Sequence, residues 1–372
     1  MKIIYIANAR IPTEKAHGIQ IMKMCEAFAL HHAQVELFIP KRFNWIKQGS
    51  FEYYQIKKSF KIRKFPCLDL IPFDKLVGHL GLWIESITFF IFLFPRILFE
   101  KAKIIYTRDR FFLPLVLFKK NLIFEAHTFP KNYFLYSLFL KKIKKMVVIT
   151  QELKRAFGEQ GIEPNKILVA PDGVDLAKFN IEETKEECRR KLNLPSNKKI
   201  ILYTGHLYKW KGAQILAESA QFLPDNVEIY FIGGTKKDIK EFKVQSSKFK
   251  INIVGHRPYS EIPFWLKAAD VLVLPNSGKE DISKHWTSPL KMFEYMASQR
   301  PVVASDLPSI REILNENNAL LVEPDNLEEL IKGLKNVLKD PDLFGRISNQ
   351  AFRDVQNYTW EKRAQKILKF IS

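Results

Sequence analysis

The sequence predicts an α/β protein built from two doubly wound parallel-sheet domains. Three observations carry this: a chain of 372 residues, two successive series of short apolar runs, and helix-patterned segments between them. Runs rich in Ile, Val and Phe that carry at most one charge suit strands covered on both faces, the habit of parallel sheets. In the first half these runs are Lys2–Ala7, Val35–Pro40, Ile104–Thr107, Leu122–Glu125, Met146–Thr150 and Ile167–Ala170. In the second half they are Lys199–Thr204, Val227–Ile232, Ile251–Val254, Val271–Leu274, Pro301–Ala304 and Ala319–Val322. At roughly 100–200 residues per domain, the length accommodates two units, each with its own core.

Between the two series lies a turn cluster, Pro171-Asp172-Gly173-Val174-Asp175, then a charged helix-prone stretch, Ile181–Arg190. The expected domains are therefore 1–175 and 190–357. A last helix over 358–372 follows, with Trp360, Ala364, Ile367, Leu368 and Ile371 at helical spacing. Hydrophobic content of 47% with 27% charged residues excludes a mostly disordered chain and a coiled coil. Three scattered cysteines, Cys25, Cys67 and Cys188, give neither a disulfide framework nor a cysteine zinc site and point to a reducing compartment.

Positive charge is concentrated in one half. The chain carries 59 basic and 40 acidic residues, a net +19. Residues 1–170 hold 28 basic and 13 acidic side chains, while the remainder is nearly balanced. An anionic partner follows, either a membrane surface or nucleic acid, unless the lysines merely keep the protein soluble. The opening MKIIYIANARIP has too short an apolar run for a signal-peptide core. The most membrane-like stretch, Leu80–Phe99, contains Glu85, Pro95 and Arg96, and reads as a buried or interfacial helix.

The strongest local signal for chemistry is Trp286-Thr287-Ser288-Pro289-Leu290-Lys291-Met292-Phe293-Glu294-Tyr295-Met296-Ala297. Ser288 suits an N-cap and Pro289 the first helical position. Free amides and the positive end of the helix dipole favour a phosphate there. Lys291 and Glu294, three apart, share a face one turn inward. They either offer a cation to a diphosphate and a carboxylate to ribose hydroxyls, or form an ordinary ion pair on a capped helix.

That run, followed by Arg300-Pro301-Val302-Val303-Ala304-Ser305-Asp306-Leu307-Pro308, resembles the donor-site signature of glycosyltransferase family 4. Other matches follow the family's order. Thr204-Gly205-His206-Leu207-Tyr208-Lys209-Trp210-Lys211-Gly212 is similar to the Gly-Arg-…-Lys-Gly segment that opens the family's second domain. Ala170–Asp175 with Phe179 resembles its interdomain crossing, and Tyr358-Thr359-Trp360 resembles the start of its closing helix. The resemblance implies the GT-B architecture, two Rossmann-like domains facing across a cleft, and retaining sugar transfer from a UDP- or GDP-sugar. It implies no cofactor and no metal, the nucleotide-sugar being a substrate. No DxD triplet or His/carboxylate cluster with ligand spacing is visible either.

Residue by residue, the resemblance implies that Lys211 contacts the donor diphosphate, with Gly205, His206 and the amides at Ser288, Pro289-Leu290 and Lys291 around it. Glu294 would bind the ribose. Gly18, after the first strand, matches the glycine that lets backbone approach the donor, and His127 matches a histidine over the reacting sugar. Catalysis would then rest on His127, Lys211 and Glu294. Two positions depart from the pattern. Trp286 stands where the first glutamate of a Glu-x7-Glu pair is usual, which leaves Glu280 or Asp281 for sugar contacts. His206 replaces a common arginine, and Lys209 is placed to compensate.

In this fold family the first domain usually binds the acceptor, expected to be a glycan or a lipid-linked acceptor. Its basic-aromatic stretches, Lys41–Lys47, Lys57–Phe65 and Tyr133–Lys145, suit an anionic membrane. The expectation is thus a cytoplasmic transferase of cell-envelope synthesis, peripheral on the inner membrane face, with no nucleic acid partner. A nucleotide-sugar epimerase of the same fold and a basic nucleic-acid-binding protein are the alternatives. No helix-turn-helix, finger or RNP signature supports the last.

Overall fold

The computed structural model describes residues 1–73, 78 and 80–372. It divides into two compact units, Met1–Pro171 with Trp360–Ser372, and Asp172–Thr359. The first unit holds a seven-stranded sheet of β1 (Lys2–Ile6), β2 (Gln34–Pro40), β3 (Lys61–Phe65), β4 (Ile104–Thr107), β5 (Leu122–Ala126), β6 (Lys145–Val148) and β7 (Ile167–Val169). Its order is β3-β2-β1-β4-β5-β6-β7, and every pair is parallel. Winding reverses at β1. The crevice beyond the carboxyl ends of β1 and β4 is thus the topological switch point, where such sheets bind ligands.

Strand β3 went unpredicted. Residues 57–65 read as a basic-aromatic docking segment, yet Lys61–Phe65 pairs in register with Glu36–Pro40 at the sheet edge. Arg63 there forms an ion pair with the buried Glu36. Charged side chains on an edge strand block further pairing, which explains the composition without invoking a membrane.

The helix Leu80–Leu98 runs 19 residues with Pro95 in its last turn. Gly81, Glu85, Phe89, Leu93 and Ile97 face inward, and the opposite side is exposed. The first helix, Ala16–Leu30, packs against the closing helix Trp360–Ile371, and His31 Nε2 lies 3.1 Å from the Glu361 carbonyl.

The second unit holds β8 (Lys199–Thr204), β9 (Val227–Ile232), β10 (Asn252–Gly255), β11 (Val271–Leu274), β12 (Val302–Ser305) and β13 (Leu320–Val322). They are parallel, in the order β10-β9-β8-β11-β12-β13. Both faces are packed: Leu202, Leu272, Met292 and Phe293 belong to one cluster, Tyr203, Phe231, Val273 and Leu334 to the other. Two parallel α/β units are the fold class expected from the sequence.

The units meet along the chain at 171/172 rather than within 175–190. Val174 and Phe179 sit in the second unit's core, and Val174 bridges to Thr359. Arg189, 4% exposed, donates to the carbonyls of Ala268 and Lys198 and to Asp270. The charged, helix-prone stretch between the expected domains is therefore folded in by its buried arginine.

Candidate functional site

In the second unit, three strand ends and one helix converge. Beyond β8 the chain turns at Gly205, with φ of +114°, and beyond β9 at Gly233, with φ of +115°. A Cβ on Gly233 would lie 2.5 Å from the Gly205 carbonyl oxygen, so only glycine lets these ends approach. Gly212 makes the same point more sharply. Its φ is +67°, and a Cβ there would stand 1.6 Å from the Pro275 carbonyl oxygen, beyond β11. This close approach seats the short turn Lys209–Lys211, and with it Lys211, beside the end of the sheet.

The helix that brings the other cation spans Leu290–Ala297. It starts one residue later than its sequence suggests. Pro289 is the extended capping residue, while the Ser288 hydroxyl accepts instead from the Asp172 backbone N–H at 3.1 Å. The cap is thus used to fasten the turn cluster to the helix.

Lys291 and Glu294 do not form the ordinary ion pair that their spacing allows. Lys291 is 6% exposed, and its Nζ has no hydrogen-bond partner. It stands 3.7 Å from the ring centroid of Tyr203. Burial, and then the nearby positive charge of Lys211, push its pKa well below the ordinary lysine value. Lys211 is lowered to about 8, again mainly by burial. Glu294 accepts from the Tyr259 hydroxyl at 2.8 Å, and burial raises its carboxyl to about 7. A buried lysine and a buried carboxylate, with the half-buried Lys211 repelling the first, are costly unless something else enters.

His206 pairs with Asp238 at 3.0 Å and stacks on Tyr208. Asp238 is therefore an extra acid beside the imidazole, and it also raises Lys211 slightly against burial. Lys209, suggested as a substitute for a missing arginine, is exposed. Glu280 and Asp281 are exposed as well, at the start of the short helix Asp281–Lys284. Among the described residues, no three His, Cys, Asp or Glu side chains cluster to hold a metal ion.

The first unit has its own candidate pocket, of about 270 Å³, at the switch point. Asn8, His17, Arg108, Arg110 and His127 line it. His127 Nε2 lies 2.7 Å from Glu125, two residues earlier and hence on the same side of β5. Glu125 is fully buried and also accepts from Gln20 at 2.7 Å, from Arg363 at 2.8 Å and from the Tyr106 hydroxyl. Burial alone would raise this carboxyl, but Arg363, His127 and Arg108 together hold it well below its ordinary range. Gly18, in the first helix, has a local reason to be glycine: a Cβ would sit 2.2 Å from the Tyr54 hydroxyl.

Sequence reasoning missed Tyr203, Tyr259 and Asp238, which are separated by long stretches from the side chains they serve. It also missed Arg363, although an arginine within the apolar spacing of the closing helix was a signal. Glu125 was visible as a lone acid in a buried strand.

Two doubly wound parallel sheets, each with a site at its strand ends, are the arrangement in which α/β proteins bind ligands. Residues 198–340 match the family model described as Glycosyl transferases group 1. Among curated proteins, TuaC of Bacillus subtilis (strain 168), whose name ascribes to it a glycosyltransferase step of teichuronic acid biosynthesis, is 29% identical over 167 residues. That alignment covers 45% of this chain and 40% of that protein. The UDP-Gal:alpha-D-GlcNAc-diphosphoundecaprenol alpha-1,3-galactosyltransferase of Escherichia coli is 28% identical, covering 55% of this chain and 54% of its own length. The chain thus spans about half the length of the curated relatives it matches. In fold it is similar to sucrose-phosphate synthase (tll1590) from Thermosynechococcus elongatus, with TM-score 0.78, 16% identity, and coverage of 99% and 97%. Anabaena Alr3699/HepE, solved with UDP and glucose, gives TM-score 0.77 at 17% identity, covering 99% of this chain and 98% of that one.

Proposed function

We propose that this chain is a glycosyltransferase of family 4 that takes its sugar from a nucleotide-sugar donor bound at the second unit. The observation that carries the reading is the buried, unpartnered Lys291 one helical turn from the buried Glu294, with the half-buried Lys211 near enough to lower its pKa. Sugar transfer leaves negative charge on a nucleoside diphosphate, and pre-aimed cations in a water-poor site lower the barrier to that departure. Lys211 and Lys291 would take the diphosphate. Glu294, held by Tyr259, would accept the ribose hydroxyls. Gly205 keeps that approach clear of side chains. This chemistry asks for no metal.

UDP is the favoured nucleotide, on the strength of the UDP-bound Anabaena neighbour and the UDP-Gal-dependent relative. The first unit would supply the acceptor pocket, with His127 at its floor. A glycan or lipid-linked acceptor fits the relatives' names, and retention of configuration is carried by the family resemblance. The test is thermal stabilisation of the full chain by UDP and by GDP, with an oligonucleotide as control. UDP should raise the midpoint in the parent, with little effect in Glu294→Ala or Lys211→Ala. Equal shifts in all three proteins would overturn the site, and no shift with either nucleotide would overturn the donor class.

A further inference from the structure

We infer that the outward face of the helix Leu80–Leu98, continued by the segments Arg110–Leu117 and Tyr133–Lys142, docks on an anionic lipid bilayer. Along that helix Leu80, Trp83, Ile87 and Ile91 are 65%, 56%, 46% and 57% exposed. Steps of three, four and four residues place them on one stripe, opposite the inward Phe89 and Leu93. The stripe continues sideways. Trp83 meets Phe111 at 6.2 Å and Phe94 meets Phe118 at 5.0 Å. Arg110 lies over the Tyr136 ring at 5.6 Å, joining the third segment. There Phe134, Leu135 and Leu138 are 75%, 53% and 59% exposed. Scattered apolar residues are normal on a surface, but a contiguous field over three elements marks a contact site.

Charge decides the occupant. Each apolar segment is followed by lysines just before the next strand: Lys101 and Lys103 before β4, Lys119 and Lys120 before β5, Lys141, Lys142 and Lys144 before β6. Those strands are adjacent and parallel, so their beginnings share one edge of the sheet. The Lys119 ammonium donates to the Glu100 carbonyl at 3.1 Å, and Asn121 to the Ala102 carbonyl at 2.8 Å, which ties that edge together. The result is an apolar face with a basic rim. Acidic side chains between 80 and 145 are only Glu85, Glu100, Asp109 and Glu125, and none of them is exposed. A second copy would set basic rim against basic rim with no acid to answer it. An anionic bilayer supplies both apolar depth and negative charge. Because Glu85, Phe89 and Ile97 are buried against the unit, the helix lies along the interface rather than across it.

The experiment uses the full chain with phosphatidylcholine vesicles, with and without phosphatidylglycerol, at low and high salt. Expected is co-sedimentation with the anionic vesicles only, weakened at least tenfold by high salt. Lys141→Glu with Lys142→Glu should weaken it on the order of a hundredfold. Ile87→Glu with Ile91→Glu should abolish both binding and a blue shift of Trp83 fluorescence. Lys332→Glu with Lys339→Glu, in the second unit, should leave binding unchanged. All three pairs are surface changes, and a circular-dichroism melt matching the parent confirms folding. The inference is overturned by absence of binding at low salt or by binding indifferent to both first-unit pairs. It is equally overturned by a parent dimer that Ile87→Glu/Ile91→Glu converts to monomer, which would assign the face to a second copy.

Discussion

The two units bury charge in opposite ways. In the first, Glu125 is fully enclosed and receives donors from Gln20, Tyr106 and Arg363, with His127 alongside. In the second, Lys291 is also buried but has an aromatic ring where a hydrogen bond would be, and a second cation nearby. The first is complete within the fold, so it orients His127 and ties the closing helix to β5. The second is incomplete within the fold, and the missing negative charge is what the proposed nucleoside diphosphate would bring. Buried charge with a full set of partners is structural; buried charge without one is a binding site waiting for its ligand.

The largest effect should come from breaking the complete network. Arg363→Ala strands a buried carboxylate and should cost ~3–5 kcal/mol of stability, read from urea denaturation. Arg363→Ala should also loosen His127, so catalytic rate should fall more than donor affinity. The incomplete cluster should respond in the opposite sense. Lys291→Met removes an unpartnered ammonium and should raise stability by about 1 kcal/mol. The same change should weaken UDP binding by on the order of tenfold to a hundredfold. Glu294→Gln should behave likewise. A variant that loses both stability and binding would place Lys291 in the structural class instead.

How much of this was legible follows from range. The strands of both sheets were readable because central parallel strands are apolar runs with at most one charge, whereas β3 was not, since Lys61, Arg63 and Lys64 mask an edge strand. Lys291 and Glu294 were readable because helical spacing alone puts them on one face. Nothing local says that Tyr203 lies beneath Lys291, 88 positions earlier in the chain, or that Tyr259 holds Glu294, because those contacts exist only once the sheet has formed. Arg189 shows the converse: a charged, helix-prone stretch set between the expected domains is anchored to the second unit through one buried guanidinium.

A pH profile sharpens the comparison with a smaller effect. Bound diphosphate favours protonated Lys211, so affinity should decline as pH rises past about 8, where the free lysine loses its proton. Ribose hydroxyls donating to Glu294 favour its carboxylate, so affinity should grow as pH rises through about 7. UDP binding should therefore peak between these limbs, and Glu294→Gln should erase the acidic one. Smallest of all, Ser288→Ala removes the acceptor for the Asp172 N–H and should cost about 1 kcal/mol without shifting that profile.

The central claim is that the second unit's cations are completed by a nucleoside diphosphate. Isothermal titration of UDP into the full chain at pH above 8, in two buffers of different ionisation heat, tests it most directly. Expected is binding with net proton uptake in the parent, and smaller uptake with weakened binding in Lys211→Met, where Lys291 alone remains to take a proton. Binding with no proton uptake, or equal affinity and uptake in Lys211→Met, would contradict it.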